Sequence, residues 1–221
     1  MPLRRAHLIF AIFGLASVPT HAVDAGFAER CDALAIQAQV SVVFEDRPIT
    51  RDDTRTREQL RNLSQRGGAA NHHVYGLTYA QARMGYSMRS TALAGPGGAV
   101  CVVPSLTVTL GLSDLTVYLA RELVQPCRRA IVEAHEQEHV AVWRTHLRAG
   151  ARLLEPVLRE ALARPFHFAS MADAQTGLRQ QIDATLAPLT RNLQDGILQA
   201  HRDIDSPGSY QAASRRLNAC P

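Results

Sequence analysis

The pattern of apolar positions changes character once along the chain, near residue 126. Before that point short runs rich in β-branched and aromatic residues dominate, and Gln39-Val40-Ser41-Val42-Val43-Phe44 reads as a β-strand. Residues 24–36 predict a short helix ahead of it. The polar, arginine-rich stretch 48–68 predicts another at 55–64, ended by Gly67-Gly68. From residue 73 to 93 Val, Tyr, Thr and Met recur with partial alternation, and Gly95-Pro96-Gly97-Gly98 closes the run as a turn. Val100, Val102, Val103, Leu106, Val108 and Leu110 then resume a partial period of two, so the segment predicts strand, turn, strand. Residues 114–120 fit either a strand or the first turns of a helix, and a strand is favoured.

Beyond Pro126 apolar residues at 131, 132, 134, 140, 142, 143, 147, 153 and 154 fall at helical spacings, which predicts a long helix over 127–148. Gly150 and Pro156 are candidate breaks, making 151–163 a second helix or a kinked continuation. A further helix near 172–202 carries Ile182, Leu186, Leu189, Leu193, Ile197 and Leu198, and Ser206-Pro207-Gly208-Ser209 reads as a turn leading to a short tail. Strands first and helices after imply an α+β fold: a small, mostly antiparallel sheet followed by a helical half.

The amino terminus changes the setting. Arg4 and Arg5 precede an apolar run over 8–18, and Thr20-His21-Ala22 supplies a small-x-small cleavage pattern, so residues 1–22 read as a signal peptide and 23–221 as one domain. The run is roughly half the ~20 residues needed to span a bilayer, and no later stretch is long and apolar enough. The expectation is a periplasmic or secreted protein with no stable membrane insertion after cleavage. Four cysteines, Cys31, Cys101, Cys127 and Cys220, suit two disulfides in that compartment. Three pairings are open, and Cys31–Cys101 with Cys127–Cys220 is preferred. The formal charge of +4 falls to about +2 without the two leader arginines, and no basic stripe points to nucleic acid.

The chemistry concentrates inside the predicted helix 127–148, where His135-Glu136-Gln137-Glu138-His139 matches H-E-x-x-H. Residues four apart share one helical face, so both imidazoles can reach a single Zn2+ at ~2.0–2.1 Å, while Glu136 can accept a proton from a water at the metal. These residues point to a zinc-dependent hydrolase, with a peptide or protein as substrate and a zincin-like active-site helix. Here the chain resembles a family of bacterial secreted zinc-dependent proteases grouped as a domain of unknown function. The residues that carry the likeness are Val74-Tyr75-Gly76-Leu77-Thr78, the run from Leu115 to Glu122, Cys127 and the H-E-x-x-H helix. The resemblance spans roughly residues 40–150. It implies metallopeptidase-like activity and an aspartate-containing motif near the C-terminus, for which Asp205-Ser206-Pro207-Gly208-Ser209-Tyr210 is the degraded counterpart.

A third metal ligand must come from elsewhere. On a continuous helix His146 lies about 16 Å along the axis from His135, too far to share the ion, and reads as a surface or packing histidine. Glu155 or Glu160 could return on a second helix. Asp205 is the first choice and His201 the next, because the two lie four apart with Asp203 between them. Glu133 and Glu138 read as solvated charges, Trp143 and Tyr118 as core residues, and Tyr210 and His73 as candidate hydrogen-bond donors to a developing oxyanion. The competing reading is a non-catalytic periplasmic module or pseudo-enzyme in which zinc ties helices together, or an envelope protein held by disulfides alone. Structural zinc sites fill four positions with protein ligands, whereas catalytic ones keep one for water.

Overall fold

The computed structural model describes residues 25–64 and 74–221. The expected signal peptide, its expected cleavage point and His73 lie outside the described residues. A long hairpin forms the frame: β3 (Gly76–Ala94) runs antiparallel to β4 (Val100–Leu119) along their whole lengths. The turn between them uses Gly97 at φ 67° and Gly98 at φ 88°, conformations open to glycine at no steric cost. The favoured strand reading of 114–120 holds for all but its last residue, because β4 continues to Leu119.

A β-bulge explains why periodicity weakened in that segment. Gln81 pairs with Asp114 but Ala82 pairs with Leu112, so Ser113 is an extra residue in β4. Leu106, Val108, Leu110 and Leu112 alternate with period two, and the bulge resets the phase so that Leu115 and Val117 enter the same core. The other edge of β4 takes β1 (Gln39–Glu45) and β2 (Thr50–Asp52), both parallel to it, and β5 (Phe166–Phe168), which is antiparallel. The fold is α+β, with an open mixed sheet in which antiparallel pairing predominates.

Among the described residues there are five α-helices: α1 (Ala25–Leu34), α2 (Arg57–Leu63), α3 (Pro126–Ala161), α4 (Met171–Ile204) and α5 (Pro207–Asn218). Helix α3 runs unbroken through Gly150 and Pro156, where a break was a candidate. Proline in a helix interior costs roughly 3 kcal/mol, but Leu154 and Leu158 on either side of it are anchored in the core. Gly150 serves the packing of α4 instead: a Cβ there would stand 2.9 Å from Leu193 Cδ2. The buried stripe Val132, Glu136, His139, Val140, Leu147, Ala151, Leu154 and Leu158 follows helical spacing, so two of the motif residues lie on the packed face of α3.

Ser206-Pro207-Gly208-Ser209, expected as a turn leading to a short tail, instead starts helix α5. Ser206 caps it by accepting from the Ser209 N–H, and Pro207 occupies the first turn, where its missing N–H costs nothing. All four cysteines pair, Cys31 with Cys101 and Cys127 with Cys220. The second bridge fastens the end of α5 to the start of α3. No helix among the described residues is long and apolar enough to cross a membrane.

Candidate metal centre

Helix α3 supplies His135 and His139, one turn apart with ring centroids 5.0 Å from each other. The end of α4 supplies Asp205, its C-cap residue, whose backbone N–H bonds back to His201 and so fixes where the side chain leaves the helix. The Asp205 Oδ1 atom lies 3.3 Å from His135 Nε2 and 3.2 Å from His139 Nε2. One ligand atom from each of the three residues falls within 4.8 Å of the others. Four ligands around Zn2+ at ~2.05 Å define a tetrahedron with edges of about 3.3 Å, so two of the three edges already have the required spacing. Two imidazole nitrogens and a carboxylate oxygen suit a borderline divalent ion, and the donor set fits a metal.

Glu136, beside the two imidazoles, packs against the first residues of β3. It is 4% exposed. Thr78 Oγ1 lies 2.8 Å from its carboxylate Oε2 and 3.0 Å from its backbone carbonyl, and can donate to either. Gly76 makes the approach possible: a Cβ on it would stand 2.6 Å from Glu136 Oε1 and 2.7 Å from Val132 Cγ1. Burial pushes the Glu136 carboxyl up, while the Thr78 hydroxyl and the nearby imidazoles pull it down. His135 is raised, first by its hydrogen bond to Asp205 and against its own desolvation.

His201 stands behind His139, with the two Nδ1 atoms 2.8 Å apart, and leans on Trp143 at 5.3 Å between centroids. Tyr210, from the first turns of α5, donates to Asp205 Oδ1 at 2.9 Å and lies 5.9 Å from the His135 ring. An open cavity of about 340 Å³, lined by Leu198, His201, Arg202 and Asp205, adjoins the group.

The structure therefore brings His135, His139 and Asp205 together, sets His201 against His139, and leaves the candidates His146, Glu155 and Glu160 apart. His146 bonds to the Val142 carbonyl four residues back. Glu155 pairs with Arg159, and Glu160 is exposed on the same helix. Glu138 is exposed, whereas Glu133 is half-buried and paired with Arg51. Trp143 packs on the main core as expected. Thr78 and Gly76 entered the sequence reading only as part of the family likeness, with no role at the site, because nothing in a strand pattern shows which helical residue will face it. No protein-family model, no curated protein and no solved structure matches this chain.

Proposed function

We propose that the protein is an exported zinc-dependent hydrolase, a metallopeptidase, in which His135, His139 and Asp205 hold Zn2+ and Glu136 is the general base. The observation that carries this reading is the pairing of three converging ligand atoms with a buried carboxylate one residue after the first of them. Bound zinc would supply a Lewis acid that polarises a scissile carbonyl and acidifies a water.

The chain's own residues account for the remaining steps. Glu136 takes a proton from the attacking water and delivers it to the leaving amine. Thr78 and Gly76 hold its carboxylate in one place, which removes the orientational freedom a solvated glutamate would have. Tyr210, exposed beside Asp205 and His135, can turn its hydroxyl toward a carbonyl oxygen as charge develops there. A peptide suits the site because β3, which begins against Glu136, pairs among the described residues with β4 alone. Its outer edge can receive an extended chain by strand addition. Export agrees with two disulfides and with the expected leader.

Glu136→Gln separates this from a structural zinc site. The amide keeps the shape of the carboxylate but accepts no proton, so zinc content and folding should persist while zinc-dependent cleavage of a mixed peptide library drops by at least ~10²-fold. Undiminished cleavage would remove Glu136 as base. Stoichiometric zinc without any cleavage by the wild type would favour the structural role.

A further inference from the structure

The contact between His139 and His201 imposes a condition that the metal ligands alone do not. Two imidazole nitrogens 2.8 Å apart form a hydrogen bond only if one carries a proton and the other a lone pair. The opposite nitrogen of His139, Nε2, faces Asp205 Oδ1 at 3.2 Å. What occupies Nε2 therefore decides which ring donates across the Nδ1 pair. Without a cation, neutral His139 donates from Nε2 to Asp205 and must accept at Nδ1, so His201 donates. With a cation on Nε2, the remaining proton of His139 sits on Nδ1, and His201 must accept.

We propose that His201 is a positioning residue that sets the tautomer and ring orientation of His139, and that metal entry moves the proton between the two Nδ1 atoms from His201 to His139. The balance closes: His139 loses its Nε2 proton to solvent, His201 gains one at Nε2, and both rings remain neutral. His201 is held for this task by the last turn of α4, four residues before Asp205, and by the Trp143 ring. Its contact is with the edge of His139 opposite Nε2, which assigns it a place behind the ligand and not on the ion. The inference rests on the reading of His135, His139 and Asp205 as the metal group.

Zinc affinity measured by chelator competition, with imidazole 15N NMR of the metal-free and zinc-loaded wild type, tests it. His201→Ala should weaken zinc binding by roughly 10- to 100-fold, the usual effect of losing a partner of a metal-bound histidine. His201→Asn, whose side-chain oxygen can accept from His139 Nδ1, should recover most of that loss. In the wild type the His201 proton should shift from Nδ1 to Nε2 on zinc loading. An unchanged affinity in His201→Ala, or one tautomer of His201 in both states, overturns the proposal. Loss of stoichiometric zinc as complete as in His139→Ala would make His201 a ligand and overturn it too. A wild type that takes up no zinc defeats the metal reading itself, and this inference with it.

Discussion

Glu136 depends on two residues of β3 that have no chemistry of their own to offer a metal. Gly76 gives it space and Thr78 gives it a hydrogen bond, so its environment balances burial, which favours the neutral acid, against a donor and two imidazoles, which favour the carboxylate. Thr78→Val keeps the volume and removes the donor. The Glu136 pKa should then rise further, and since the base proposed here works only when deprotonated, the acidic limb of the proposed activity's pH profile should move to higher pH. Zinc content should stay unchanged. An acidic limb that does not move would mean that Thr78 leaves Glu136 untouched. At this scale the sequence was legible where spacing carries geometry: H-E-x-x-H places two imidazoles on one turn, and Asp205 was the preferred partner among four candidates. The partners of Glu136 were illegible, because the contact joins positions 58 residues apart.

Elements were legible where local pattern and packing agree. The hairpin and the helices α3 and α4 follow apolar periodicity, while α5 was hidden because Ser-Pro-Gly-Ser carries turn residues and N-cap residues at once. That helix matters to the site. Asp205 lies two residues before α5 and Tyr210 within it, and the only covalent tie of this end to the rest of the chain besides the backbone is Cys127–Cys220, which fastens it to the first turn of α3. Replacing both cysteines by Ala should loosen Asp205 relative to His135 and His139. Zinc affinity should fall about tenfold for each ~1.4 kcal/mol of ordering that binding must then supply. The Cys31Ala/Cys101Ala pair should leave affinity near wild type. Cys101 lies sixteen residues along β4 from Val117, which pairs beside Thr78, or about 50 Å of strand. Equal losses in both double variants, measured by chelator competition, would show that the effect is general destabilisation and not the clamp.

For the whole molecule, the α+β class followed from strands preceding helices, but the parallel attachment of β1 and β2 to β4 did not, since register between distant strands leaves no local mark. The folded state also places a buried acid and an imidazole in surroundings that hold protons. Glu136 is raised from its ordinary 4.5 chiefly by burial, and His135 from its ordinary 6.5 chiefly by Asp205. Both folded values lie above the unfolded ones. Their contribution to the stability of the metal-free protein is therefore complete below the unfolded values and is lost as pH rises through the folded values. Glu136→Gln removes one of the two titrations. Near pH 4 its melting temperature should match the wild type, because both side chains are then neutral. Above about pH 4.5 the unfolded wild type gains by ionising Glu136 and the folded state resists, so the variant should become progressively the more stable of the two. In the proposed site zinc would reverse the balance, because the ligands would bind it as the neutral imidazole and the ionised carboxylate, and affinity should climb as pH rises above 6.5 and His135 gives up its proton. Melting curves of the metal-free wild type and Glu136→Gln at pH 4 to 8, together with zinc affinity over pH 6 to 8, test both signs. A constant difference between the two proteins across that range would show that the fold does not raise the Glu136 carboxyl above its ordinary value.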